Sequence, residues 1–198
     1  MARPFEASAD FALIVHPDEA SSTVGTAWIL RRSVKNLTWI RSDGEGLDQD
    51  PSFLELIARA PLLLFPGPKS LNLNQAKEDE WRALVPKSKR PLLIIVDGSW
   101  NQAKMILRKS AQLQTLPRVS FDMGRASEYT FKRQPHPACL SCVEGAHRTL
   151  EILAQRDWGS LPPSREHDQM IEIFRSMIRY QIEQSRIHQA ARLAAQRQ

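Results

Sequence analysis

Asp97, Gly98, Ser99 and Trp100 stand directly after the most apolar run of the chain, Leu92-Leu93-Ile94-Ile95. A carboxylate at a strand's end can take up a proton or orient a polar group, and a nearby indole can lie against a flat ligand. By itself the tetrapeptide also reads as a turn, with Asp-Gly as a common turn pair and Ser99 capping the next helix. Other reactive types lie in Leu140-Ser141-Cys142-Val143-Glu144-Gly145. Cys139 and Cys142 form a C-x-x-C pair, and the chain has no further cysteine. Two thiols cannot close a structural zinc site, which takes four ligands. A redox pair would open a helix near the start of a βαβ unit, so the preferred reading is two reduced thiols that happen to lie close together. Glu144 suits the first turn of a helix, where an acid meets the positive end of the dipole. His16, just before Pro17, reads first as a histidine satisfied at a strand end.

The elements that would carry these groups follow from the hydropathy pattern. Residues 10–17 form an apolar run closed by Pro17 and predict a strand. Residues 36–41, 61–68, 90–98 and 116–122 predict four more. Helices are expected over 21–34, 52–60, 74–85, 99–110, 142–158 and a long terminal stretch, 164–196, whose last ten residues should fray. Residues 43–51 read as a loop, and 124–138 as an irregular, basic, proline-rich segment. The strands are continuous apolar runs that alternate with helices. That predicts an α/β fold, a mostly parallel sheet with helices on both faces. Ligands of such sheets bind beyond the carboxyl ends of the strands.

The chain has 198 residues with 42% hydrophobic and 25% charged content, which suits one globular domain over 1–198. No apolar stretch reaches the roughly 18 residues of a membrane-spanning helix. The first residues lack a signal peptide's apolar core, so a cytoplasmic protein is expected. The net charge is +5. Lys and Arg gather at 82–90, 104–109 and 125–133, clusters that would steer a polyanion to the surface or simply be solvated.

Three strand ends combine backbone-exposing residues with a following helix: Phe65-Pro66-Gly67-Pro68, Asp97 to Trp100, and the segment running into Leu140-Ser141. Exposed N–H and C=O groups there can hold an adenine ring or a carboxylate. No G-x-G-x-x-G or Walker A pattern follows any strand, which leaves the common dinucleotide and ATP sites unsupported.

In order, His16-Pro17, Pro66-Gly67-Pro68, Asp97-Gly98-Ser99-Trp100, then Arg133-x-Pro135 and Leu140-Ser141-x-x-Glu144 resemble the DTW-domain family. Ser99 stands for the threonine of the Asp-Thr-Trp signature, Cys142 for a second threonine and Gly145 for an alanine. The resemblance covers roughly residues 11–180. It implies a tRNA-uridine aminocarboxypropyltransferase with a fold related to the SPOUT methyltransferases, knotted in its C-terminal half. S-adenosylmethionine would donate a 3-amino-3-carboxypropyl group to N3 of a tRNA uridine and leave as 5'-methylthioadenosine. Many relatives carry an N-terminal cysteine cluster of zinc-binding appearance. This chain has no cysteine before Cys139, so no metal and no such extension is expected.

The resemblance also distributes roles. Asp97 is the expected catalytic group. An aspartate of ordinary pKa, about 3.9, is a poor base at neutral pH, so it either gains basicity from burial beside Trp100 or orients the uridine. Phe65, Pro66, Gly67, Gly98, Ser99, Trp100, Leu140, Ser141, Cys142 and Glu144 are expected to hold the co-substrate. His16, Arg125, Tyr129, Lys132 and Arg133 are expected on the RNA side. Trp100 or Tyr129 would stack on a splayed base, and Arg133 would meet either a phosphate or the methionine carboxylate. A methyltransferase and a non-catalytic RNA-binding module remain the alternatives.

Overall fold

A computed structural model describes residues 3–21, 25–122, 127–129, 140–161 and 164–195, with side chains up to residue 189. In chain order the elements are β1 (Asp10–Val15), α1 (Pro17–Ala20), α2 (Thr26–Ser33), β2 (Leu37–Arg41), α3 (Pro51–Ala58), β3 (Leu62–Leu64), β4 (Leu71–Asn72), α4 (Glu78–Leu84), β5 (Leu92–Asp97), α5 (Trp100–Lys109), α6 (Ala111–Thr115), β6 (Arg118–Ser120), α7 (Cys142–Gln155) and α8 (Asp168–Ala195). The six strands form one sheet in the order β2-β1-β5-β3-β6-β4. Every pairing in it is parallel.

Several expected boundaries move for local reasons. β1 stops at Val15 because His16 caps a short helix with Pro17 at its first position, where the missing N–H costs nothing. The helix expected over 21–34 is therefore replaced by α1 and the separate α2. The strand expected over 61–68 ends at Leu64, since Pro66 and Pro68 have no N–H to give to a ladder. β4 has only two residues and lies within no apolar run, so hydropathy did not show it. α6 restarts after α5 because Ser110 caps it, with its Oγ accepting from the Leu113 N–H at 3.1 Å. α8 begins at Asp168 and continues to Ala195, past the expected fraying point. Among its described side chains, Ile178 is the last buried one.

The pleat sorts the strands' side chains onto two faces. Phe11, Leu13, Val15, Leu62, Leu93, Ile95 and Val119 join residues of α2, α7 and α8 in one apolar layer. Ala12, Ile14, Ile40, Leu63, Leu92 and Ile94 meet Phe53 and Leu56 of α3 and Ile106 and Leu107 of α5 in the other. Trp81 of α4 is fully buried and stacks on Trp158, 5.3 Å between ring centres, which anchors the chain beyond α7.

This order makes β1 and β5 neighbours whose onward connections part company. From β1 the chain turns to β2 at one edge, whereas from β5 it turns to β6 on the other side. Such a divergence opens a crevice beyond the strands' carboxyl ends, the usual ligand position in a parallel sheet. Val15 pairs with Asp97 in register, so His16 and Gly98 follow side by side at the strands' carboxyl ends.

Candidate active site

Asp97 is the last residue of β5, on the same side of the pleat as Leu93 and Ile95. That side is covered by α7. The first helical residue of α7 is Cys142, and its thiol donates to Asp97 Oδ1 at 2.6 Å. The Asp97 carbonyl accepts from the His16 N–H at 2.9 Å. A Cβ at Gly98 would come within 3.1 Å of the Gln102 Cβ and 3.4 Å of the His16 Cβ. The small residue lets the two strand ends close up.

Ser99 begins α5 with a capping box. Its Oγ accepts from the Gln102 N–H at 3.4 Å, and the Gln102 side-chain oxygen accepts from the Ser99 N–H at 2.8 Å. Gln102 then donates from Nε2 to Asp18 at 2.9 Å. The His16 Nδ1 accepts from the Asp18 N–H at 3.3 Å. The ends of β1 and β5 are thus latched by polar contacts through α1 and α5. Both capping boxes, S-x-x-Q at 99–102 and S-x-x-E at 141–144, were readable as helix starts. Asp18 and Gln102 were not singled out from sequence, and the S-x-x-Q spacing is the signal that would have found Gln102.

Ser141 caps α7 in the same manner, and Glu144 accepts from its N–H at 2.9 Å and from its hydroxyl at 2.7 Å. The carboxylate also accepts from the Ser127 hydroxyl at 2.8 Å and the Glu128 N–H at 2.7 Å. Glu144 is buried, and protein donors occupy both of its oxygens. It anchors residues 127 and 128 in place. Glu128 in turn receives a two-pronged bond from Arg175 of α8, at 2.7 and 2.8 Å.

The indole of Trp100 packs against the Phe65 ring at 5.5 Å, joining the turn after β3 to the turn after β5. Gly67 lies in the first of these turns, and a Cβ there would stand 3.1 Å from the Arg118 guanidinium. That guanidinium also lies 5.9 Å from the Phe65 ring centre. Among the described residues no carboxylate pairs with Arg118. A half-buried cation beside an aromatic ring and a glycine turn is suited to an anion. Sequence reasoning passed over it because it belongs to none of the Lys/Arg clusters.

The structure therefore pairs Phe65 with Trp100 and Asp97 with Cys142, sets Gly67 beside Arg118, and buries His16 and Ser141. Pro66 and Ser99 are exposed, and Leu140 is half-buried. Tyr129 differs from expectation. It is 5% exposed and packs edge-on against Phe174, 5.6 Å between centres. The ring belongs to the core and offers no open face to a base. Arg125, Lys132, Arg133 and Cys139 lie outside the described residues.

A profile of the DTW domain family matches residues 1–182. Curated relatives include tRNA-uridine aminocarboxypropyltransferase 2 of Macaca fascicularis, 27% identical over 160 residues, 79% of this chain and 52% of that one. The protein of that name from Mus musculus is 27% identical over 158 residues, 78% of this chain and 51% of its own. The one from Drosophila melanogaster is 28% identical over 158 residues, 77% of this chain and 59% of its own. The chain thus spans about half the length of the curated relatives it matches. No solved structure gives a significant match.

Proposed function

Because this chain belongs to the DTW domain family, we propose that it transfers the 3-amino-3-carboxypropyl group of S-adenosylmethionine to N3 of a uridine in tRNA. The observation that carries the reading is the contact of Cys142 with Asp97. It joins two of the family's motif positions, far apart in sequence, at the crevice where a parallel sheet binds its ligands. The relatives' printed name supplies the reaction class.

In this reading a bond forms between uridine N3 and the γ-carbon of the methionine moiety, while the bond from that carbon to the sulfonium breaks. The sulfur leaves with the electron pair as a neutral thioether, 5'-methylthioadenosine. The N3 proton passes to Asp97 or, through its hydrogen bond, to water. The leaving group is already good, so the protein's contribution is chiefly alignment. Asp97 is suited to that task. Its backbone carbonyl is fixed by His16 and its carboxylate by Cys142, so its direction is set before substrate arrives.

The co-substrate fits the groups present. Phe65 and Trp100, inclined at 55° to one another, offer aromatic faces for adenine, and Arg118 offers a guanidinium for the methionine carboxylate. The turns at Pro66-Gly67 and Gly98-Ser99 and the Leu140-Ser141 approach to α7 offer backbone polar groups. Arg125, Lys132 and Arg133 are proposed to meet tRNA phosphates, as the basic run 125–133 suggests. The proposal includes a SPOUT-related, knotted arrangement and a single DTW-type domain across the chain. The one sheet with both faces covered supports the latter.

Mass spectrometry of bulk tRNA from cells with and without the gene tests the reading. Loss of 3-(3-amino-3-carboxypropyl)uridine on deletion, regained with the wild-type gene and not with Asp97→Ala, is the expected result. Unchanged tRNA would remove it. Accumulation of S-adenosylhomocysteine in place of methylthioadenosine in vitro would replace it with methyl transfer. RNA binding without any S-adenosylmethionine binding in calorimetry would reduce it to a binding module.

A further inference from the structure

Away from the crevice, α7 and the start of α8 bring two histidines and a carboxylate to one point. His147 lies on α7, His167 immediately precedes α8 and Asp168 is its first residue; both histidines are buried. The Nε2 atoms of both rings converge on a single oxygen, Asp168 Oδ1, at 3.0 Å from His147 and 3.7 Å from His167. One ligand atom from each of the three residues lies within 4.8 Å of the others.

Hydrogen bonding accounts for only part of this. The contact from His147 to Asp168 is a normal hydrogen bond. The side chain of His167 is 9% exposed, yet among the described residues no hydrogen bond reaches either of its ring nitrogens. Its nitrogen points to where the other two ligands already meet.

The groups around the three match what supports a bound ion. Glu151 Oε2 faces the other nitrogen of His147, Nδ1, at 3.7 Å. On binding an ion the ring would carry its proton on Nδ1, beside this carboxylate, and free the Nε2 lone pair for the ion. Arg165 donates to the outer oxygen of Asp168 at 2.8 Å, which turns Oδ1 towards the histidines.

The geometry points to a divalent transition-metal site of the zinc class, ligated by His147, His167 and Asp168, which fastens the start of α8 to α7. Ligands at about 2.0–2.2 Å from one tetrahedral ion stand about 3.3 Å apart, between the two separations seen to Asp168 Oδ1. Two imidazoles and one carboxylate favour zinc, cobalt, nickel or iron over magnesium or calcium, which take oxygen ligands. Water would complete the ion's shell. The expectation of no metal was argued from cysteine spacing, and this set uses no cysteine.

The site is tested on the full chain by stripping it with a chelator and titrating with Zn²⁺ in a calorimeter and with Co²⁺ by absorption. One equivalent of each, with a cobalt spectrum free of a thiolate charge-transfer band, is the expected result. His147→Gln and His167→Gln should each abolish binding. Glu151→Gln should keep the stoichiometry and weaken affinity roughly 10–100-fold. No binding by the wild type would overturn the site. So would a thiolate band, or binding that survives both histidine substitutions. The wild-type titration and the Glu151 variant keep the test decisive if a histidine variant fails to fold. No step depends on turnover, so failure here leaves the proposed transfer reaction standing.

Discussion

The Cys142 thiol donates to the Asp97 carboxylate at 2.6 Å, across 45 positions of sequence. A donor here fixes the direction of the acid that ends β5, and the family resemblance has a threonine at the cysteine's position. Hydroxyl and thiol are both donors, so the substitution preserves the contact. Cys142→Ala is expected to lower kcat/KM by roughly ten- to a hundredfold, the worth of one hydrogen bond to a charged group. Cys142→Thr is expected to stay near wild type. Steady-state transfer assays on the two variants check this, and equal losses in both would show that the donor is irrelevant.

Glu144 collects donors from Ser127, Glu128 and Ser141 while buried at the start of α7. In Glu144→Gln an amide nitrogen must face one group of these donors, leaving them without an acceptor. The expected cost is about 1–3 kcal/mol of stability. Urea denaturation measures it, and an unchanged midpoint and slope would contradict the role given to this carboxylate.

Arg118 is argued to hold an anionic group of the co-substrate beside Phe65. Arg118→Ala should raise the dissociation constant for S-adenosylmethionine roughly tenfold or more while leaving the melting temperature nearly unchanged. Arg118→Lys should recover part of the affinity, since the charge survives without the planar fork. Calorimetric titration separates these outcomes. Wild-type affinity in Arg118→Ala would remove the residue from the site.

Gly145 stands where the family resemblance has alanine, within the first two turns of α7. A Cβ there would meet only Leu64 Cδ2, at an ordinary 3.6 Å. Glycine inside a helix carries an entropic cost relative to alanine, so Gly145→Ala should stabilise the protein by about 0.5–1 kcal/mol. Thermal unfolding gives the answer, and a lower melting temperature would mean that the contact with β3 is tighter than its geometry indicates.

Much of the scaffold was legible because its signals are local. Continuous apolar runs gave five of the six strands and their parallel arrangement, since a strand buried on both faces has no polar side to display. Ser99 marked the start of α5 through its cap. Pattern reading missed β4, whose two residues are only half-buried, and placed Tyr129 at the surface. An aromatic residue in a proline-rich basic stretch carries no local mark of the helix that will cover it, and here α8 supplies Phe174.

The sequence by itself determined that Asp97 ends a buried strand, that it shares a face with Leu93 and Ile95, and that Ser141 opens a helix. Those facts depend on period-two alternation and capping, which act over a few residues. Only the tertiary structure decided that α7 covers that face and sets Cys142 against Asp97. It alone placed Arg118 beside Gly67 and gathered His147, His167 and Asp168. Each of those meetings depends on strand order and on which side each helix packs. The cooperative burial of two apolar layers on one sheet fixes both, and no window along the chain contains that information.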